Sequence, residues 1–404
     1  MTEVAYLDHA ATTPVRPEVR AAMAPFLDEV YGNPSGIHSV ARRAKTALEE
    51  AREEIAEHLG CAPGEVVLTG GGTEADNLAV RGAARAARSG TGGTGGTGGT
   101  GGTVVVSAIE HKAVAEAAAR VARVGGTVRT VRVGADGVID LDHLGAVLDD
   151  TVVVVSVMCV NNETGIVQPL AAVAERVRAQ APRAVLHTDA VQAVAWLDPV
   201  VTTAPADLVA VSAHKFGGPK GVGALVVRDG TGLEPDLVGG GQERGRRSGT
   251  VDVAGAVGLA VALRVTAATR PVDVARIGRM RDRLAAGLAT VPGVVPTGDR
   301  ARAVVGSHHV RVEGVEAETL LVALDRGGVC AAAGSSCASG ASAPSHVLAA
   351  MGWSRRAAKE AVRFSLGHAS TDADVDRALA VVPRAIARLR GAPVAAGARA
   401  GVSG

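Results

Sequence analysis

The chain has 404 residues, of which 47% are apolar and 21% charged, and its formal net charge is +1. This size and composition fit a globular α/β enzyme of one or two domains, and they exclude a disordered chain. A net charge so near zero gives no electrostatic ground for binding nucleic acid or an anionic membrane, so we expect neither partner. Four scattered cysteines, an N-terminus unlike a signal peptide and the lack of an apolar run approaching ~18 residues predict a cytoplasmic protein without a disulfide framework.

Short Val-rich runs alternate along the chain with Ala-rich stretches of helical periodicity. Helices are predicted in "SGIHSVARRAKTALEEAREEIAEHLG" and "PLAAVAERVRAQA". Buried strands are predicted in "EVVLTG", "TVVVSA", "TVVVVSVM", "RAVLHTDA", "DLVAVSA" and "GVGALVV", because these runs are short, β-branched and apolar on both faces. This alternation predicts an α/β fold with a mostly parallel sheet that is covered on both sides.

The first predicted strand runs into three consecutive glycines. Gly70, Gly71 and Gly72 are followed by Thr73, which opens a helix. Glycines let backbone amides approach an oxyanion, and a helix N-terminus favours negative charge. The spacing matches neither the dinucleotide fingerprint nor the Walker lysine loop. The stretch indicates either another kind of phosphate cradle or a plain strand–turn–helix junction.

From about residue 262 apolar strand-like runs become sparser and helical segments dominate, which suggests where the chain divides into domains. We predict a large cofactor-binding domain over residues 16–261 and a smaller α+β domain from residues 1–15 and 262–390. The low-complexity run "SGTGGTGGTGGTGGT", residues 89–103, is predicted to be a flexible surface loop and a tolerated insertion. Residues 391–404 are predicted to be a disordered tail.

Two later strand ends carry residues suited to chemistry. "RAVLHTDAVQA" supplies Asp189 and Gln192, and a carboxylate buried there needs a cationic partner unless it caps a helix. "SAHKFGGPKG" places Lys215 beside Ser212 and His214, just beyond a buried strand. A lysine at that edge of an open α/β sheet points toward the usual ligand crevice, where desolvation makes its amine a nucleophile. The alternative is a surface lysine on a loop.

The stretch "VCAAAGSSCASG" contains Cys330 and Cys337 among very small residues. The two thiols alone are compatible with a disulfide, a metal site, inert packing or a reactive cysteine. A cytoplasmic location argues against the disulfide, and the lack of other cysteines or histidines nearby argues against a metal, so we predict no metal site.

Ten stretches, in order along the chain, resemble the motifs of the cysteine desulfurases, which are pyridoxal-phosphate enzymes of the class V aminotransferase fold. They are "YLDHAATTPV", "GNPSGIHS", "GGTEADNLAV", "EHKAV", "NNETGIVQP", "HTDAVQA", "SAHKFGGPKG", "GGGQERGRRSGT", "SSCASG" and "VRFSLG". The resemblance covers nearly the whole chain. It implies fold type I, in which a large domain with a mostly parallel seven-stranded sheet carries a smaller α+β domain.

The resemblance also implies a role for each matching residue. Lys215 would hold the cofactor covalently, and Cys337 would be the nucleophile that receives sulfur. His111 would stack on the pyridine ring and move protons, while Asp189 would pair with the ring nitrogen. The remaining cofactor contacts would come from Asn162 and Gln192 near the ring hydroxyl, and from Gly72, Thr73, Ser212, His214 and, from the other subunit of a homodimer, Thr250 around the phosphate. The substrate carboxylate would be bound by Arg363, assisted by Asn33 and Asn162.

The implied activity is conversion of L-cysteine to L-alanine, with transfer of sulfur to an enzyme persulfide and then to acceptor proteins. Scaffold proteins of iron–sulfur cluster assembly and the enzymes of tRNA, cofactor or DNA thiolation all remain open as acceptors. A selenocysteine lyase or another class V enzyme, such as an aminotransferase, is the alternative function.

Several residues keep a plainer interpretation. His111 could cap the helix that follows its strand, and Arg363 could form a structural salt bridge. Cys61 and Cys159 are predicted to be buried small hydrophobic residues, and Cys330 is predicted to be a packing residue. His308 and His309 match no motif and are predicted to lie on a strand surface.

Overall fold

The structure is a computed structural model that describes residues 4–90, 102–333 and 345–391. Most of the predicted Gly/Thr loop, residues 91–101, lies outside this part of the chain, as do residues 392–404 of the predicted tail. Residues 334–344, which include Cys337, also lie outside it.

Three β-sheets organise the described residues. A seven-stranded sheet has the order β2-β8-β7-β6-β5-β3-β4, a four-stranded sheet has the order β12-β13-β10-β9, and β1 pairs with β11. The strands are β1 (Ala5–Tyr6), β2 (Val66–Thr69), β3 (Thr103–Ser107), β4 (Thr127–Val131), β5 (Val152–Ser156), β6 (Val185–Asp189), β7 (Leu208–Ser212), β8 (Gly223–Val227), β9 (Val294–Pro296), β10 (Ser307–Val312), β11 (Val329–Cys330), β12 (Ala332–Ala333) and β13 (Ala361–Ser365).

The seven-stranded sheet is mostly parallel, as the Val-rich runs predict. Strands β3 to β7 pair in parallel with their neighbours, whereas β8 runs antiparallel to β2 and β7. Six of the seven strands are the predicted runs. The seventh, β4, has the polar-rich sequence "TVRTV" at the edge of the sheet, where only Val131 is buried. The predicted α/β fold class is confirmed.

The described residues form thirteen α-helices, which are α1 (Pro17–Met23), α2 (Pro25–Asp28), α3 (Ser39–Leu59), α4 (Gly72–Ser89), α5 (Lys112–Arg123), α6 (Leu141–Val147), α7 (Leu170–Gln180), α8 (Pro199–Thr202), α9 (Val253–Ala289), α10 (Ala317–Arg326), α11 (His346–Ala350), α12 (Arg355–Lys359) and α13 (Asp372–Leu389). Helices α3 and α4 pack on opposite faces of the seven-stranded sheet, whereas α10 and α13 pack against the other two sheets. Helix α3 shows why such segments form: Leu48, Ala51 and Ile55 recur at helical spacing and are buried. It ends at Gly60, whose φ of 64° is the left-handed cap conformation.

Two hydrophobic cores share the long helix α9. Leu259, near its start, packs in the core formed with the seven-stranded sheet, and Leu284, near its end, packs in a second core with β10 and β13. The predicted boundary between residues 261 and 262 therefore falls inside one continuous helix. The division into two domains at that point stays a prediction.

Helix α9 is the one helix among the described residues that is long and apolar enough, by length and composition, to cross a membrane. Of its most apolar window, 61% is buried inside the protein. Its apolar side chains contact the two cores, which is typical of a central helix in a globular fold.

Shortening a side chain in α9 is expected to destabilise the fold. Leu259 is fully buried, so Leu259→Ala should lower the free energy of unfolding by about 2–5 kcal/mol through lost burial and a residual cavity. The control is Val272→Ala in the same helix, because Val272 is 70% exposed and should change that energy by less than about 0.5 kcal/mol. Thermal unfolding of both variants checks this. An equal fall in Tm would contradict the packing assigned to Leu259.

Candidate active site

The predicted site residues meet at the carboxyl edge of the parallel strands. Asp189 ends β6, Ser212 ends β7, and Lys215 lies in the short 3₁₀ turn Ala213–Lys215 that follows β7. His111 follows β3, and Asn162 follows β5. Ligands of open α/β sheets bind in the crevice outside this edge. A cleft lies there, with Lys215, Gln192 and Asn162 in its wall.

The amine of Lys215 is held by the N-terminal segment of the chain. Its Nζ donates to the carbonyl oxygens of Ala10 and Ala11, at 2.7 and 2.8 Å. Gln192 Nε2 donates to the same oxygen of Ala10 at 2.9 Å. The short segment after β1 thus positions both side chains in the cleft, and Lys215 is not a solvated surface lysine.

The three glycines form an open helix N-terminus beside Ser212. Gly71 precedes α4 with a φ of 137° and no side chain caps the helix. A Cβ on Gly72 would lie 2.7 Å from Val191 Cγ2, and one on Gly71 would lie 3.8 Å from Ser212 Oγ. The first amides of α4 therefore have no side-chain acceptor and face a hydroxyl, an arrangement that suits a phosphate. Thr73 is exposed at this end.

His214 directly precedes Lys215 in the short 3₁₀ turn that follows β7. Its Nδ1 lies 3.1 Å from Thr12 Oγ1. Burial, followed by the charge of Lys215, lowers the pKa of His214 to about 4, so its ring is neutral at neutral pH. A neutral imidazole there offers one N–H donor and adds no charge.

Asp189 and His111 lie close together, with a carboxylate oxygen and a ring nitrogen within 4.8 Å of each other. Asp189 is 5% exposed, and its Oδ1 accepts the Val191 N–H at 2.9 Å. Burial raises the pKa of Asp189, while His111 and Lys215 act in the opposite direction. His111 Nδ1 accepts the Ala113 N–H at 3.2 Å and caps α5. The capping interpretation of His111 thus holds beside the site interpretation, since the cap leaves the proton of a neutral ring on Nε2.

Arg363 lies on β13, where it is 2% exposed. Its Nη1 donates to the Asn162 carbonyl oxygen at 2.5 Å, and its Nη2 pairs with Asp8 Oδ1 at 2.7 Å. Nε has no hydrogen-bond partner among the described residues. The salt-bridge interpretation therefore holds for one nitrogen, and Asn162 links the guanidinium to the cleft.

The prediction that His308 and His309 lie on a strand surface is wrong. Both are buried, at 5% and 3% exposed, because β10 lies inside its sheet between β13 and β9. His309 pairs in register with Arg363, and its Nδ1 lies 2.8 Å from Thr297 Oγ1. Burial lowers the pKa of His309 to about 3, with Arg363 acting in the same direction, so the ring is neutral.

Three predicted site residues do not join this cluster in the described structure. Asn33 is exposed, and its Oδ1 accepts the Ser35 N–H at 3.0 Å. Thr250 is exposed on the loop before α9. The predicted nucleophile, Cys337, lies outside the described residues.

The other three cysteines are free thiols. Cys159 is fully buried, and burial raises its pKa to about 12. Cys61 is only partly buried, rather than buried as predicted, and burial raises its pKa to about 11. Cys330 is also partly buried, on β11, and its pKa is raised by burial. Raised thiol pKa values describe unreactive cysteines.

Sequence reasoning missed four buried polar residues behind Asp189. They are Asp76, Glu110, Ser156 and His187. Asp76, Glu110 and His187 lie inside the quoted stretches "GGTEADNLAV", "EHKAV" and "HTDAVQA", and Ser156 lies inside the predicted strand "TVVVVSVM". For Ser156 and His187 the available signal was a polar residue inside an apolar strand, whereas Asp76 and Glu110 gave no such signal.

The cleft residues fit pyridoxal phosphate. The uncapped amides of α4 and Ser212 suit its phosphate, and Lys215 supplies an amine for its aldehyde. The buried carboxylate of Asp189 needs a cationic partner, which a protonated ring nitrogen would be.

Asp76, His111 and Asp189 each place one nitrogen or oxygen within 4.8 Å of the others, a spacing that metal ligands can share.

Comparison with known proteins gives one family over nearly the whole chain. The profile described as Aminotransferase class-V matches residues 5–378. The IscS-like cysteine desulfurase of Mycobacterium tuberculosis is 42% identical over 398 residues, which cover 97% of this chain and 99% of that protein.

Solved structures agree. A NifS-like protein matches with a TM-score of 0.87 at 32% identity, covering 96% of this chain and 100% of that chain. SspA in complex with cysteine matches with a TM-score of 0.77 at 30% identity, covering 91% of this chain and 99% of that chain. The similarity therefore extends to both sequence and fold.

Proposed function

The chain belongs to the class V aminotransferase family and is a pyridoxal-phosphate-dependent cysteine desulfurase, and we propose which of its residues carry the reaction. The enzyme converts L-cysteine to L-alanine and transfers the sulfur, by way of a persulfide, to acceptor proteins. The observation behind the assignment is that Lys215 lies in the cleft at the end of β7, beside the buried Asp189 that ends the adjacent strand β6.

The cofactor contacts follow from this edge of the sheet. Lys215 would hold the cofactor covalently, Asp189 would pair with the ring nitrogen and His111 would cover the ring. Gln192 and Asn162 would contact the ring hydroxyl region. The phosphate would be held by Gly72, Thr73, Ser212 and His214 of one subunit, and by Thr250 of a second copy. These roles agree with the uncapped amides of α4 and the neutral His214.

Bound pyridoxal phosphate supplies an electron sink next to the Cα atom of the substrate. Lys215 Nζ moves the proton at that Cα atom, because the amine has a free lone pair when it is not bonded to the cofactor and is deprotonated. The carbonyl oxygens of Ala10 and Ala11 hold Nζ in place. His111 Nε2 carries a second transferable proton, since its Nδ1 accepts from the helix α5.

Sulfur leaves the substrate on Cys337. The thiolate Sγ of Cys337 attacks the substrate sulfur, an S–S bond forms and the C–S bond of the substrate breaks. The electron pair of the C–S bond stays with the Cβ atom of the substrate, which takes up a proton and becomes the methyl group of alanine. Only the thiolate is nucleophilic, so this cysteine must lose its proton during the cycle. The raised pKa values of Cys159 and Cys61 argue against either as the sulfur carrier.

Arg363 binds the substrate carboxylate, assisted by Asn33 and Asn162. The buried guanidinium of Arg363 has an Nε without a hydrogen-bond partner among the described residues. It can donate two hydrogen bonds to a carboxylate if Nη2 exchanges its contact with Asp8 for one with the substrate. Lysine cannot reproduce this fork. Arg363→Lys is therefore expected to raise KM for L-cysteine about tenfold or more, with a smaller change in kcat.

Steady-state alanine formation from L-cysteine measures both constants. The matched control is Arg356→Lys, since Arg356 is largely exposed on α12, and it should leave KM unchanged. If Arg363→Lys kept the KM of the unmodified enzyme, the carboxylate assignment would be wrong and Arg363 would serve only its ion pair with Asp8.

A homodimer is part of this proposal. Tyr31 and Ile37 are large apolar residues that are 72% and 89% exposed. Pro34, from the same segment, lines a surface depression together with Val251, which adjoins Thr250. Pairing of two copies across this face would cover the apolar residues. It would also bring Thr250 toward the partner's phosphate site.

The sulfur acceptors proposed for this enzyme are cytoplasmic scaffold proteins of iron–sulfur cluster assembly or thiolation enzymes. Support comes from the near-complete overlap with an IscS-like relative and a NifS-like structure. A net charge of +1 supports protein acceptors rather than direct contact with nucleic acid.

A further inference from the structure

A chain of buried polar side chains runs from Asp189 away from the cleft. An oxygen of Asp76 on α4 lies within 4.8 Å of an oxygen of Asp189. Asp76 Oδ1 is 3.5 Å from His187 Nε2. His187 Nδ1 is 2.8 Å from Ser156 Oγ, which is 3.5 Å from Glu110 Oε2. Four side chains, on α4, β6, β5 and the connection between β3 and α5, thus follow one another in space.

These groups are removed from water. Asp76, His187, Ser156 and Glu110 are each 0–1% exposed. Neither Asp76 Oδ1 nor His187 Nε2 has a hydrogen-bond partner within the described residues. A proton between these two atoms would satisfy both, and buried polar atoms are rarely left unsatisfied in folded proteins.

The charge on Asp76 is constrained by its neighbour. If Asp189 pairs with a protonated ring nitrogen, it must be ionised. Two ionised carboxylates this close in a buried site repel strongly, so one of a pair normally retains a proton. Glu110 is the other acid of the chain, and it is anchored by Ser107 Oγ at 2.5 Å and the Met158 N–H at 2.8 Å.

Donors and acceptors can be ordered along the chain in one consistent direction. Protonated Asp76 donates to His187 Nε2, His187 Nδ1–H donates to Ser156 Oγ, and Ser156 O–H donates to the Glu110 carboxylate. In the reverse order the proton lies on Glu110 and Asp76 is ionised. Three hydrogen transfers interconvert the two orders without change in total charge. In the first order the negative charges lie on Asp189 and Glu110, whereas in the reverse order they lie on the neighbouring Asp189 and Asp76.

We propose that Asp76 is a positioning residue of the cofactor site. It carries the proton of this buried chain and shares it with His187 Nε2 in a hydrogen bond in which Asp76 is the donor. Because Asp76 stays neutral, Asp189 remains ionised opposite the ring nitrogen. The inference rests on the role of Asp189 in the proposed function.

The pKa shifts of Asp76 and His187 agree with this order, whereas that of Glu110 opposes it, so the order rests on the geometry of the four side chains. Burial raises the pKa of Asp76 well above its usual value, and the charges of Asp189 and Glu110 raise it further. Burial lowers the pKa of His187 to about 3, so its ring is neutral and has one N–H to give. The pKa of Glu110 is raised to about 8 by burial, against the hydrogen bond from Ser107.

Infrared spectroscopy of the holoenzyme locates the proton. A protonated carboxyl group absorbs apart from carboxylates, and its band shifts in D₂O. Difference spectra at pH 8 between the unmodified enzyme and Asp76→Asn, and between it and Glu110→Gln, isolate each acid from other buried ones such as Glu163. We expect the band to be lost in Asp76→Asn and kept in Glu110→Gln. The opposite pattern, loss of a protonated band in both variants, or no protonated band from either acid overturns the proposal.

Cofactor binding provides a second measurement. Asparagine is a neutral isostere of protonated aspartic acid, so Asp76→Asn should change the Kd for pyridoxal phosphate by less than about threefold. A rise of about tenfold or more would show that an ionised Asp76 is needed, and would overturn the proposal. Thermal unfolding of each variant without cofactor reports separately on the fold.

Asp189→Asn distinguishes this inference from the proposed function. It should weaken cofactor binding by at least about tenfold, because the ring nitrogen loses its charged partner. An unchanged Kd in Asp189→Asn would overturn the role of Asp189 itself, whereas the infrared difference for Asp76→Asn would still locate the proton.

Discussion

Cys337→Ser is expected to abolish alanine formation from L-cysteine while leaving cofactor binding intact. Serine preserves the size of the side chain but replaces the thiolate that must accept the substrate sulfur. The site residues that hold the cofactor lie at the sheet edge and are unchanged by this substitution. The variant should therefore keep the visible absorbance of bound cofactor and lose turnover.

The matched control is Cys330→Ser, seven residues earlier in the chain. Cys330 lies on β11, pairs in register with Tyr6 on β1 and has a raised pKa. Its replacement should therefore change kcat by less than about threefold. With ³⁵S-labelled L-cysteine, label that dithiothreitol releases should appear on the unmodified enzyme and on Cys330→Ser, and should be missing from Cys337→Ser. Full turnover by Cys337→Ser would contradict the sulfur-carrier role and favour a selenocysteine lyase, in which this cysteine can be less critical.

The central sheet was predictable because its signal is local. β-branched apolar runs such as "TVVVVS" form buried parallel strands almost regardless of context. The edge strand β4 gave no such signal, since water covers most of its residues. Likewise, the continuity of α9 could not be read from periodicity, because nearly every residue from 253 to 263 is buried, whereas the second half of the helix is buried only at helical spacing.

The cleft residues were predictable for a different reason. Lys215 and Asp189 follow buried strands directly, and parallel strands bring their carboxyl ends to one edge. Partnerships between distant segments were not predictable. The contacts of Lys215 with Ala10 and of Arg363 with Asp8 join residues more than 200 positions apart. The burial of His308 and His309 likewise depends on strand order, which no local pattern fixes.

The buried chain behind Asp189 shows the same limit. Asp76 reads as an ordinary polar position of an amphipathic helix, and its meaning appears only when β6 brings His187 to 3.5 Å. Ser156 and Glu110 come from two further elements. Two segments must pack before the contact of Asp76 with His187 exists, and four before the series of side chains is complete, so only the folded protein reveals it.

Lys215→Ala should remove both covalent attachment of the cofactor and catalysis. The substitution deletes the amine that the carbonyl oxygens of Ala10 and Ala11 hold in the cleft. Loss of a positioned proton-transfer group alone lowers kcat by about 10²–10⁴-fold. Noncovalent contacts at α4 and Asp189 remain, so the variant should still bind pyridoxal phosphate reversibly and lose it on dialysis.

Borohydride reduction followed by mass spectrometry separates attachment from binding. Reduction should fix the cofactor covalently to the unmodified enzyme and to the control Lys220→Ala, whose lysine is exposed on the same loop, and should fix none to Lys215→Ala. Alanine formation should follow the same division. Covalent cofactor recovered on Lys215→Ala would mean that another amine forms the bond, and the assignment of the strand β7 edge as the reaction centre would then be wrong. If attachment were lost but turnover stayed unchanged, Lys215 would be an anchor only, and the proton at Cα would have to be moved by His111.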